Sequence, residues 1–173
     1  MSTGKNDLEQ LAKDFDLESY QPLSVIGQLR CAILSRLRKG EDVLPDIDGR
    51  RETKADFIRA ILSGSHPYLI SEEGTGKTRL ALSLVNLLPP VPIIKGCPYH
   101  DDPLWEQHLL CSRCGEVKNP VEKFGIEFIT AETRFSRVQG NEYTNEAKLL
   151  GLKDIQAIAG GASPSDPNAF IGT

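Results

Sequence analysis

Apolar residues recur at helical spacing in three parts of this 173-residue chain and cluster into two short runs between and after them. Val25, Leu29, Ile33 and Leu37 fall on one face behind Ser24, whose hydroxyl can cap a helix, and Gly40 supplies the stop. This spacing predicts an amphipathic helix, with Cys31 as a small core residue on a partly buried turn. Phe57, Ile58, Ile61 and Leu62 repeat the pattern as far as Gly64. A third stripe runs from Lys77 through Leu80, Leu84, Leu87 and Leu88, and Pro89-Pro90 ends it, because proline cannot donate to a helix.

His66 to Ile70 reads as a short buried strand ahead of a glycine-rich turn, and "VPII" after the prolines reads as another. The order strand, loop, helix, strand is a βαβ unit, which predicts a parallel sheet with a right-handed crossover. From Met1 to about Tyr20 the apolar residues Leu8, Leu11, Phe15 and Leu17 are too few for a core of their own, so that leader is a loose helix or a tail. The chain divides into a polar leader and amphipathic helix (1–43) and an α/β nucleotide-binding domain (44–173) carrying a metal-binding loop at about 97–114.

The segment Ser71 to Thr78 reads S-E-E-G-T-G-K-T, the phosphate-binding pattern G-x-x-x-x-G-K-[ST] without its first glycine. Gly74 and Gly76 let the backbone curl so that its N–H groups point at phosphate. Lys77 then reaches the β- and γ-phosphates, and the Thr78 hydroxyl binds Mg²⁺. Glu73, Thr75 and Arg79 complete the expected nucleotide-contacting stretch. Ser71 is a departure, since a side chain is strained wherever the turn needs a positive φ.

Composition narrows the classes. Hydrophobic residues make up 39% and charged residues 25%, as in folded globular chains. A net charge of -4 gives no global attraction to nucleic acid, and the basic stretches Arg36 to Lys39 and Arg50 to Lys54 read as solvated helix faces. No apolar run approaches the ~20 residues of a membrane span, and the amino terminus lacks the apolar centre of a signal peptide. The expected compartment is the cytoplasm, where closely spaced thiols point to metal or catalysis.

Such thiols are present. Cys97, His100, Cys111 and Cys114 form C-x₂-H-x₁₀-C-x₂-C, the spacing of a structural Zn²⁺ site in which two tight pairs cross-link a loop poor in apolar residues. His108 competes with His100 for the fourth position, and Asp101 and Asp102 are further candidates. Trp105 and Tyr143 read as loop packing. A Walker B strand, apolar residues ending in Asp or Asp-Glu, is not found; "IEFITAE" (126–132) is strand-like but carries Thr130-Ala131 ahead of Glu132. Without that carboxylate, binding survives and hydrolysis falls by orders of magnitude.

"LPDIDGRRETKADFIRAILSG" before the phosphate loop, "LLPPVPIIKGCPYHDDP" after it and "RFSRVQGNEYTNEAKLLGLKDIQAI" beyond resemble the amino-terminal half of the AAA+ domain of magnesium-chelatase ATPase subunits and their MoxR-like relatives. The resemblance covers about Leu44 to Thr173. It implies a partial three-layer P-loop domain in which Ile47 and Gly49 pack against adenine, Lys77 and Thr78 hold phosphate and Mg²⁺, and Arg137 to Gly140 lead to Leu149 to Gly151. Some members carry a cysteine-bearing loop, with a cysteine where this chain has Asp101.

The family pattern continues into Walker B just where "PNAFIGT" ends, so the expectation is a fragment of a longer protein. The resemblance also implies ATP and ADP as ligands, a homo-oligomeric ring, a partner subunit of von Willebrand A type, and ATP-driven remodelling of a partner, which for a chelatase means Mg²⁺ insertion into porphyrin. The alternative is a zinc-stabilised module that holds a nucleotide or a protein without catalysis. A related DNA helicase is disfavoured because no basic or aromatic tract supplies a nucleic-acid footprint.

Overall fold

The computed structural model describes residues 4–138, 140, 142, 152–153, 155–161 and 170–171. The chain separates into two compact units, one of Met1–Lys5, Phe15–Val91 and Thr130–Arg134, the other of Asn6–Asp14, Pro92–Ile129 and Phe135–Thr173. The "RVQG" and "LLG" segments, Tyr143 and the carboxyl-terminal tail lie wholly or partly outside the described residues.

The leader forms a helix, α1 (Lys5–Lys13). In the first unit, α2 (Val25–Arg38) starts where the Ser24 hydroxyl accepts the Gly27 N–H at 3.2 Å, satisfying one of the donors that a helix start leaves without a partner. It stops in a Schellman turn: the Glu41 N–H reaches back to the Arg36 carbonyl across Gly40, whose φ is 71°. The next helix, α3 (Arg51–Leu62), ends the same way, with Ser65 reaching Ala60 across Gly64. Leu29 and Ile33 of α2 and Phe57 and Ile61 of α3 are buried against one another, joined by Val43, Leu44, Leu80 and Leu87. The ends of the predicted α2 stripe, Val25 and Leu37, are about half exposed, and Cys31 is exposed rather than part of the core.

The third stripe is interrupted. Helix α4 covers Lys77–Leu82, and a separate 3₁₀ turn covers Val85–Leu87. The break falls at Ser83, a buried residue whose hydroxyl donates to the Leu80 carbonyl at 2.6 Å, a local bond that competes with helix continuation. No strand forms over residues 66–70, and Tyr68 and Ile70 are 87% and 81% exposed. Apolar character identified that run, and Leu69 does pack against the core, but Tyr68 and Ile70 are left exposed. The βαβ unit is therefore not formed among the described residues.

In the second unit, β1 (Val91–Ile94) pairs with β2 (Ile126–Ile129), and β3 (Leu152–Lys153) pairs antiparallel with β4 (Phe170–Ile171), beside α7 (Ile155–Ala159). The "VPII" strand is thus present. The expected single parallel sheet is not what these two two-stranded sheets form. Two short helices, α5 (Ser112–Gly115) and α6 (Pro120–Phe124), lie between β1 and β2 in sequence. No helix among the described residues is long and apolar enough to cross a membrane.

Ile33 is completely enclosed. Ile33→Ala should cost about 2–5 kcal/mol, the usual penalty for emptying a core site. Val25→Ala on the exposed end of the same helix should stay within about 0.5 kcal/mol. Urea unfolding followed by far-ultraviolet circular dichroism checks both.

Candidate functional site

The phosphate-type loop lies in the first unit between the irregular 66–70 segment and α4. Gly74 and Gly76 adopt φ values of 73° and 85°, the left-handed region where glycine carries no steric penalty. Ser71 does not, because the only described non-glycine residues with positive φ are Arg50 and His100. The side chain at that departure from the pattern is therefore unstrained. The Ser71 hydroxyl instead bonds the Thr75 hydroxyl and lies 3.3 Å from Lys77 Nζ.

Lys77 folds back on its own loop. Its ammonium donates to the carbonyls of Ser71 and Glu72 at 2.5 and 2.7 Å. The loop therefore presents converging oxygens that its own lysine already satisfies.

A cleft of about 390 Å³ opens beside it, lined by Ile47, Leu69, Thr75, Gly76, Lys77 and Arg79 among others. Its volume lies in the range of small-molecule sites, about 300–1,000 Å³. Of the residues expected to contact nucleotide, the structure brings Ile47, Thr75, Gly76, Lys77 and Arg79 together here. Gly49 shares a neighbouring hollow with Ile47. Glu73, Gly74 and Thr78 line a second hollow that also includes Gly76 and Lys77.

The second unit contains the cysteines. Cys97, Asp101, Cys111 and Cys114 place one ligand atom each within 4.8 Å of one another. His100 is not among them. It takes a left-handed φ of 58° at the end of the turn after Cys97, and the next residue, Asp101, is the one enclosed. His108 is exposed and lies beside Glu106. The C-x₂-H spacing points to the histidine, whereas the described geometry places the Asp101 carboxylate with the three thiols.

Several bonds fix the cluster. The Asp101 N–H donates to Cys97 Sγ at 3.3 Å, and Asp101 Oδ2 accepts the Cys111 N–H at 2.8 Å. Asp101 is 1% exposed, and a carboxylate so enclosed is costly unless paired or bound to metal. Burial pushes the Cys111 thiol above its ordinary range, with Asp101 adding to the effect. Cys114 is raised further, by burial first and then by the neighbouring Cys111 and Cys97.

Around the cluster pack Ile94, Leu110, Val121 and Phe124. The Arg113 guanidinium stacks 4.0 Å from the Phe124 ring centroid and donates to the Lys95 carbonyl, closing the loop from outside. Trp105, expected to pack within the loop, is 45% exposed.

The dimensions suit one tetrahedral ion. Metal–sulfur bonds of about 2.3 Å set sulfurs about 3.8 Å apart in a tetrahedron, and Cys97 and Cys111 Sγ are 3.7 Å apart. Three soft thiolates and one carboxylate are a donor set that Zn²⁺ accepts.

No protein-family model and no solved structure matches the chain. Curated proteins do. The magnesium-chelatase 67 kDa subunit of Heliobacterium mobile is 35% identical over 57% of this chain and 15% of its own length. The chloroplastic magnesium-chelatase subunit ChlI-2 of Arabidopsis thaliana is 31% identical over 57% of the chain and 23% of its own length. A magnesium-chelatase subunit ChlI homolog of Methanocaldococcus jannaschii is 30% identical over 49% of the chain and 24% of its own length. The matches span less than a quarter of the length of these three relatives. Agreement among a bacterial, a plant and an archaeal relative supports a magnesium-chelatase-like AAA+ kinship over about half of the chain, and these relatives imply a P-loop fold.

Proposed function

We propose that this chain is the nucleotide-binding portion of a magnesium-chelatase-like AAA+ ATPase, with a zinc-bound loop as a structural element of the same protein. The observation that carries the reading is the cleft where Ile47 meets Thr75, Gly76 and Lys77. Adenine packs on Ile47 beside Gly49. The polyphosphate lies along Glu73 to Arg79, with Lys77 released from the Ser71 and Glu72 carbonyls to meet it. Thr78 supplies its hydroxyl to Mg²⁺, the role its position in the motif implies. The cleft supports this reading, and the relatives named as magnesium-chelatase subunits are consistent with it.

In the whole protein, assembly into a homo-oligomeric ring and ATP-driven remodelling of a partner follow from the family. Metal insertion into porphyrin and a chaperone-like task are the two forms of that work. No apolar run ending in Asp-Glu occurs in the amino-acid sequence. The chain as given is therefore expected to hold ATP with little turnover, the behaviour that the non-catalytic alternative also requires.

Zinc is proposed at Cys97, Asp101, Cys111 and Cys114, a closed set with no open position for substrate. When bound, the ion would offset half of the charge of three thiolates and a carboxylate and tie the turn after β1 to α5. Because those thiols must lose their protons to bind, affinity falls as pH falls.

Two outcomes test these assignments. Titration of labelled ATP with Mg²⁺ should show binding that Lys77→Ala weakens at least about tenfold, the equivalent of one charge-assisted hydrogen bond; equal affinity in the variant would refute the phosphate cradle. Elemental analysis should find about one zinc per chain. Cys114→Ser should abolish it, and Asp101→Ala should lower zinc affinity at least about tenfold. His100→Ala should leave zinc content unchanged; loss of zinc there, with retention in Asp101→Ala, would return the histidine to the ligand set.

A further inference from the structure

Lys54 plays no part in the function proposed above, although it lines the same cleft. An ammonium group has three N–H donors, and the structure supplies an oxygen for each: Asp42 Oδ2 at 2.7 Å, the Leu44 carbonyl at 2.9 Å and the Ile47 carbonyl at 3.1 Å. The side chain is only 14% exposed. With every donor used on the chain itself, Lys54 has none to offer a ligand.

What those bonds do is fix the backbone from 42 to 47. Asp42 closes the same loop from its other end, since its Oδ1 accepts the Leu44 N–H at 3.0 Å. The Lys54 ammonium, by its hydrogen bond, holds the Asp42 carboxyl below its ordinary range. Val43 and Leu44 anchor the loop in the core, and the Ile47 N–H turns back to the Leu44 carbonyl at 3.2 Å. Ile47 is thereby held at the cleft by a tight turn whose carbonyl Lys54 grips directly.

The phosphate end is built independently. Its internal bonds join Ser71, Glu72, Thr75 and Lys77, and none of them includes Lys54.

We propose that Lys54 is the positioning residue for the base-recognising end of the cleft: by holding the Leu44–Ile47 turn it governs affinity for the nucleobase and leaves affinity for polyphosphate untouched. This rests on the nucleotide-binding reading of the cleft. It separates the site into two parts that can be perturbed one at a time.

The experiment compares binding of ATP and of inorganic tripolyphosphate, both with Mg²⁺, to the unaltered chain, Lys54→Met and Asp42→Asn by calorimetry. Lys54→Met should weaken ATP about tenfold or more while tripolyphosphate stays within about twofold. Asp42→Asn, which keeps an acceptor for the Leu44 N–H but loses the charge facing Lys54, should shift ATP in the same direction by less. Equal losses for both ligands, or unchanged ATP affinity, would overturn the proposal. If circular dichroism shows Lys54→Met unfolded, Asp42→Asn decides by the same two criteria. An unaltered chain that binds tripolyphosphate and ATP equally well would also overturn it, whereas one that binds neither would sink the nucleotide reading and this inference together.

Discussion

Oxygen and sulfur atoms gathered in one place need positive charge among them, and this chain meets that need at three points. The Lys54 ammonium sits among Asp42, Leu44 and Ile47. Lys77 sits among the carbonyls of its own loop. Around Cys97, Asp101, Cys111 and Cys114 the Arg113 guanidinium reaches Cys114 Sγ at 3.9 Å, and a metal ion is the further cation proposed there. Each cation is worth more than its direct contacts, because it lets a run of backbone hold a shape that apolar packing alone would not enforce.

The apolar cores fit this division of labour. In the first unit, two helices stopped by left-handed glycines bury Ile33 and Phe57, and this packing gives the Leu44 and Leu80 neighbourhoods a rigid floor. The second unit has a smaller cluster in which two of the buried members, Cys97 and Cys114, are themselves candidate ligands. Its order therefore leans on the chemistry of those side chains, as in small metal-closed domains generally.

Much of the site was legible because its residues are neighbours in sequence. A G-x-G-K-T run and the close C-x₂-H and C-x₂-C pairs carry their chemistry in local spacing, and the helix stripes around Leu29 and Phe57 repeat at 3.6 residues. What was not legible depends on three dimensions. Tyr68 and Ile70 have strand-like composition, but composition does not say whether another strand covers them. The stripe from Leu80 to Leu88 is periodic, yet Ser83 turns its hydroxyl back on the Leu80 carbonyl and divides it. His100 had the expected spacing, but its left-handed backbone leaves Asp101 as the enclosed donor. Lys54 carried no signal at all, since its three acceptors are loop atoms whose convergence only the fold creates.

Asp101 has a second attachment. Its own carbonyl accepts the Ile94 N–H at 2.9 Å, so the residue whose side chain joins the thiols is stitched through its main chain to the buried end of β1. One residue thereby carries both a donor to the thiol group and the hydrogen bond that holds the end of that strand.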